Sequence, residues 1–256
     1  MRMLRLTDHP LLLFALSYLS LSFSVWVGKA VGAGRHPLES ETRKDFDVVL
    51  AATLTLLGLI IGFSFSMALG RYDLRRNCEA EEANAIGTEY LGVELLSAAD
   101  SARARALLLE YLDKRIEFYE TLDGRRLRQI GARTAKLESG MWEVVRADAV
   151  ARPQAVTALA AKGMNDVLNS RGYTLAAWIN RIPAAAWALM FAIAALSNLM
   201  IGYGARSPRK AVFLIIFPLV VSVAFLLIAD IDCPRGGLIR VLPQNLLSLF
   251  RSLHPR

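Results

Sequence analysis

Residues 46–69 read FDVVLAATLTLLGLIIGFSFSMAL, 24 residues whose only charge is Asp47 at the lip. About 20 apolar residues at ~1.5 Å rise cross a hydrocarbon core of ~30 Å. Three further runs share this character. They cover residues 10–28, 184–204 and 211–229, are 19, 21 and 19 residues long, and carry no charge. The four runs fall in two pairs around a charged region. This reads as an all-α membrane protein with four transmembrane helices in two pairs and a helical domain between spans 2 and 3. The expected domains are a first helix pair over residues 1–69, a cytoplasmic helical domain over 70–183, a second pair over 184–229, and a short cytoplasmic tail over 230–256.

Charge separates the membrane reading from a nucleic-acid one. The net charge is +7, yet residues 70–183 hold 17 Lys/Arg against 16 Asp/Glu. The excess sits in the flanks and tails, where basic residues set topology and meet anionic head groups. Nucleic acid is not expected as a partner; the lipid bilayer is. With four spans both termini lie on one side. That side carries Arg2, Arg5, Arg71, Arg75, Arg76, Arg171, Arg181, Arg235 and Arg240. The other carries Arg35, Arg43, Lys44, Arg206, Arg209 and Lys210. The bias favours cytoplasmic termini in an inner membrane, and the opposite orientation stays open. Arg2 and Arg5 ahead of an apolar run also fit a cleaved leader, although the run is long for one.

Residues 70–183 read as helices. The helix of span 2 is expected to continue to about Leu96. Asp100 is a candidate cap for a second helix, ending at Leu122 with Gly124 as its stop. Leu127, Ile130, Thr134, Leu137, Met141 and Val144 step by three and four, which makes one buried stripe on a third helix over residues 125–150. Pro153 opens a fourth through Leu168, and Gly172 ends it. Tyr173–Arg181 reads as an interfacial helix with Trp178 facing lipid head groups, and Pro183 turns the chain into span 3.

Catalytic and metal signatures are absent. There is no Walker-type Gly-rich loop, no GxSxG and no HExxH. Cys78 and Cys233 form no CxxC and read as reduced thiols. His9, His36 and His254 all lie outside the spans, so no haem is held between membrane helices, and zinc spacing is missing. No cofactor, metal or enzyme activity is expected. No Asp, Glu, Lys, Arg or His sits in the middle of a span. A group of that kind costs at least ~2.5–3.5 kcal/mol at membrane depth and marks proton or ion relays, so a proton-coupled pump is disfavoured.

Span 2 is the unusual helix. Gly58, Gly62, Ser66 and Gly70 recur every four residues, a ladder that lets helices approach closely. Thr55, Leu59 and Phe63 form a second ladder on a neighbouring face, which alone reads as lipid-facing or core. Glu79, Glu81, Glu82 and Glu89 follow the span. They could line a vestibule or bind a cation; the favoured reading is a solvated face paired with Arg75 and Arg76.

Two windows carry a resemblance. Gly62-Phe63-Ser64-Phe65-Ser66-Met67-Ala68-Leu69-Gly70-Arg71-Tyr72 resembles the second membrane helix of bestrophins. Asp230-Ile231-Asp232-Cys233-Pro234-Arg235-Gly236 resembles the stretch that leaves their last membrane helix. The run Glu82-Ala83-Asn84-Ala85-Ile86-Gly87-Thr88 resembles uncharacterised bacterial proteins with a bestrophin-like domain. Bestrophins are pentameric ion channels, mostly anion-conducting, lined by their second helices. The resemblance implies a homo-oligomer that passes small ions, with Thr55, Leu59 and Phe63 as the constriction. It also implies family positions at Arg71, Glu82, Asn84, Gly87, Asp230, Asp232 and Pro234. Three features depart from the family. Thr55 is polar, Tyr72-Asp73 replaces a tryptophan doublet, and residues 237–256 lack the acidic calcium-binding segment of animal bestrophins, so calcium gating is not implied. The expectation is a passive, anion-conducting ion channel of bestrophin-like type with span 2 lining the pore, with a non-conducting scaffold or sensor and a membrane enzyme as rivals.

Overall fold

The computed structural model describes residues 6–34, 39–205 and 211–254. Arg2, Arg5, Arg35, His36, Arg206, Arg209 and Lys210, used in the topology and metal readings, lie outside the described residues. Every regular element among the described residues is helical. The order is α1 (Pro10–Ala33), α2 (Ser40–Gly92), α3 (Ala98–Glu120), α4 (Gly124–Ala151), α5 (Ala155–Ile179), α6 (Ala184–Gly204), α7 (Ala211–Asp232) and α8 (Gln244–Leu253). Four stretches, in α1, α2, residues 155–204 and α7, are long and apolar enough to cross a membrane. The all-α, four-span reading holds. The chain forms two compact units, one of residues up to 71 with 181–240, the other of residues 72–180 with 241–256.

The first unit contains α1, α6, α7 and the first part of α2. Lipid tails are as apolar as leucine, so packing rather than water exclusion must join these helices. Gly28 and Gly32 of α1 lie against the backbone of Leu199 and Tyr203 in α6, and Gly202 of α6 lies against that of Val25 in α1. A Cβ at Gly28 or Gly202 would strike a carbonyl oxygen. The small-residue ladder predicted on span 2 is therefore not the close crossing inside this unit. Gly28 and Gly32, four apart in α1, carry the same signal. Trp187, Phe191 and Phe225 close the α6–α7 contact, with ring centroids 6.1 and 4.9 Å apart.

The second unit is a helical bundle with a contiguous apolar core from Ala83 and Ile86 to Val241 and Leu246. Ser97, not Asp100, caps α3: its Oγ accepts the Asp100 N–H at 3.3 Å. Asp123 caps α4 by accepting the N–H groups of Arg125 and Arg126 at 3.0 and 3.3 Å. Gly124 thus begins a helix instead of ending one. The α4 stripe is buried as expected at Ile130, Thr134, Leu137, Met141 and Val144. Gln154 and Thr157 make a reciprocal cap at the start of α5.

Two expectations for α5 fail. The helix does not stop before Gly172; it runs to Ile179. Its buried positions Met164, Val167, Ser170, Thr174 and Ala177 continue across the glycine, and their packing outweighs the ~1 kcal/mol that glycine costs in a helix. Trp178 does not face head groups. It is buried, with its ring 5.0 Å from Phe118 and 5.4 Å from Tyr119.

Gly202→Val should lower heat stability in detergent by about 1–3 kcal/mol, because the added methyls displace backbone rather than a mobile side chain. Gly131→Ala, with open space around its position, should gain about 0.5–1 kcal/mol. Thermal unfolding followed by circular dichroism checks both signs.

Candidate functional site

The membrane part of α2 is the least covered span. Within its most apolar 18-residue window 11% is buried, against 44% for α7. The buried positions Leu57, Ser64 and Ala68 lie on one side of the helix. At ~100° per residue, Thr55, Leu59 and Phe63 point away from that side. Thr55 is exposed, Leu59 is 52% exposed and Phe63 62%. The Thr55 hydroxyl donates to the Ala51 carbonyl at 2.9 Å, so its proton is already used by the helix. Gly58, Gly62, Ser66 and Gly70 share this uncovered side, and a Cβ on any of the three glycines meets nothing within 4 Å of this chain.

The two windows that resemble bestrophins meet in space. Asp232, 1% exposed, ends α7 and accepts the Ile182 N–H at 3.3 and 3.2 Å. Arg181 lies 3.6 Å from it and Arg71 4.0 Å. Arg181 also pairs with Asp8. One carboxylate thus ties α2, the start of α6 and the end of α7. Asp230 folds the following turn by accepting the N–H groups of Leu238 and Ile239 at 2.7 and 2.8 Å. Gly237 is needed there, since a Cβ would come within 2.8 Å of Asp230 Oδ1. Pro234 is buried in the same turn.

The acidic run is not the solvated face expected of it. Glu81 is exposed, but Glu79, Glu82 and Glu89 are at most 1% exposed. The stripe of α2 that packs inward continues through them. Glu79 accepts Asn245 N–H at 2.9 Å, Asn245 Nδ2 at 2.6 Å and Leu246 N–H at 3.0 Å, so it caps α8. Glu82 pairs with Arg115 and accepts Thr174 Oγ1 at 3.2 Å and Tyr119 Oη at 3.4 Å. Arg115 in turn lies over the Phe118 ring at 4.4 Å. Gly87 leaves room for Leu249 of α8, whose Cδ1 would be 3.0 Å from a Cβ there. Asn84 is exposed. Spacing alone could not reveal these partners, which lie 33 to 167 residues away; the signal was that Glu79, Glu82 and Glu89 share the inward helical period.

Glu89 differs from its neighbours. Its Oε1 is buried with no hydrogen-bond partner, and its carboxyl lies against Gly163 and Gly92. Burial, then the Asp166 charge, pushes it up to about 8. Burial also raises the Cys78 thiol, with Glu81 and Glu82 adding to the shift. Cys78 and Cys233 are both free and buried. Among the described residues no group of three His, Cys, Asp or Glu could hold a metal ion.

Two outcomes follow from these groups. Glu82→Ala should destabilise by about 3–5 kcal/mol, since Arg115 is left as an unpaired buried charge. In chemical denaturation, Glu82→Ala with unchanged midpoint would contradict the pairing. For Glu89 the unfolded chain ionises near 4.5 and the folded chain near 8. The unfolded state therefore binds fewer protons in this window, and stability falls as pH rises from about 4.5 to 8. Glu89→Gln should flatten that slope, measured by denaturation at several pH values.

Comparison with known proteins agrees with this architecture. A family model described as Bestrophin-like domain matches residues 15–246. Comparison with curated proteins finds no match. A crystal structure of a bacterial bestrophin homologue from Klebsiella pneumoniae shares 14% identity, covering 95% of this chain and 96% of that one, with a TM-score of 0.65. A variant of the Klebsiella pneumoniae homologue shares 13%, covering 93% of this chain and 96% of that one, also at 0.65. These structures share the fold of the chain at low identity. With the family match over nearly its whole length, the chain belongs to the Bestrophin-like domain family.

Proposed function

We propose that the chain is a passive ion channel, anion-conducting, formed by a homo-oligomeric ring with α2 along the pore. The observation that carries this reading is the uncovered side of α2, which bears Leu59 and Phe63 at 52% and 62% exposure. Family membership supports it, and so does the lack of ionisable residues in the middle of the four runs. In a ring of copies, each of Thr55, Leu59 and Phe63 becomes a circle of side chains. Circles of leucine and phenylalanine offer a hydrated ion few partners and gate by dewetting. The threonine circle is the least hydrophobic of the three. Gly58, Gly62, Ser66 and Gly70 give neighbouring copies room for close approach. A pentamer is the expected ring. The basic bias of the flanks supports an inner-membrane protein with both termini and the helical domain of residues 70–183 in the cytoplasm.

Leu59→Ala and Phe63→Ala should each raise ion flux through the purified protein in planar bilayers, because shorter side chains wet the constriction. Leu219→Ala, on the lipid-facing side of α7, should leave flux unchanged. Absence of current from wild type and both alanine variants, in several salts and at several voltages, would leave a non-conducting scaffold as the better reading. Replacing chloride by a large organic anion tests the anion assignment: undiminished current would overturn it.

A further inference from the structure

We propose that the α3–α4 hairpin end is a binding site for the phosphate head group of an anionic phospholipid. A cavity of about 560 Å³ lies between the last turns of α3 and the first turns of α4. Lys114, Arg125, Arg126, Gln129 and Arg133 line it. Its two carboxylates are committed within the chain. Glu117 bonds Lys114 at 2.9 Å and Arg126 at 2.5 Å, and Asp123 accepts the first N–H groups of α4. Arg133 is held by Glu110 at 2.5 Å. Arg125 and neighbouring Arg128 have no carboxylate partner among the described residues and are exposed. Lys114 also lies 3.3 Å from Asp113, outside the lining. Within the lining four basic side chains stand against two carboxylates, with planar guanidinium donors suited to phosphate oxygens.

The first turn of α4 contains no acidic residue, and it carries Arg125 and Arg126 where the helix dipole disfavours cations. A local rule broken in this way is expected at a functional position.

Two observations select a lipid over a soluble anion. Leu122, at the tip of the hairpin, is 58% exposed beside these arginines. An exposed apolar side chain flanked by basic ones matches the boundary between head groups and acyl chains. The same end of the bundle holds Phe118, packed on Trp178. Six residues later the apolar helix α6 begins at Ala184, a contour length of about 20 Å. The tip thus lies at the end of the bundle from which the chain leads on to α6.

The test uses the full chain in a neutral detergent, with native mass spectrometry titration of phosphatidylglycerol, phosphatidylcholine and inorganic phosphate. Wild type should bind phosphatidylglycerol in preference to phosphatidylcholine. The triple variant Arg125→Gln/Arg126→Gln/Arg133→Gln should weaken phosphatidylglycerol binding about tenfold, as expected for loss of several basic contacts. Arg103→Gln/Arg146→Gln, on exposed arginines elsewhere in the bundle, should not. Leu122→Ser should weaken phosphatidylglycerol binding and leave inorganic phosphate binding untouched. Equal binding of the two lipids, or wild-type phosphatidylglycerol affinity in a folded triple variant, would overturn the proposal. Inorganic phosphate bound as tightly as phosphatidylglycerol, with no effect of Leu122→Ser on either, would replace the lipid by a free phosphate. None of these readouts depends on conduction, so they stand apart from the channel assignment.

Discussion

A carboxylate taken out of water must find cations or N–H groups, or it costs several kcal/mol. This chain uses that constraint at four places where helices must be held in register. Asp232 gathers Arg71, Arg181 and the Ile182 N–H. Asp230 folds the turn beyond α7. Glu82 holds α3 and α5 to α2 through Arg115 and Thr174, and Glu79 holds the start of α8. Apolar packing is tolerant of small slips between helices. A paired carboxylate is not, because a slip of one residue strands its charge.

The two units are held together in different ways. In the first, lipid removes the hydrophobic drive between helices, and close backbone approach at Gly28, Gly32 and Gly202 takes its place. In the second, a continuous apolar core surrounds Glu82 and Arg115. The same helix, α2, serves both regimes. Its inward stripe changes from Leu57, Ser64 and Ala68 to Glu79, Glu82, Ile86 and Glu89.

Much of this was legible in the sequence wherever a periodic or compositional signal spans many residues. The four apolar runs, the long continuation of α2 and the stripe of α4 are of that kind. Local punctuation was less reliable. Gly124 reads equally as a stop or as the residue after an Asp cap, and only the Asp123 side chain decides. Gly172 was overruled by burial on both sides of it. The acidic run misled because Glu79 and Glu82 look solvated until distant partners are known, and Asn245, Arg115 and Thr174 are far along the chain. Asp232 and Arg71 stood out only through resemblance; their contact needs the fold. For the uncovered side of α2, the Thr55, Leu59 and Phe63 ladder alone reads as lipid-facing or core, and only the fold shows that no other helix of the chain covers it.

The unbroken course of α2 has a geometric consequence. Its 53 residues make a rod of about 80 Å with no proline to absorb torsion. Along such a rod the azimuths of all side chains share one phase. Once Glu79 and Glu82 have chosen their partners, the compass bearing of Ile86 and Glu89 further along the same helix is determined too. The two carboxylates act in this sense as a protractor for the part of the rod that packs within the second unit.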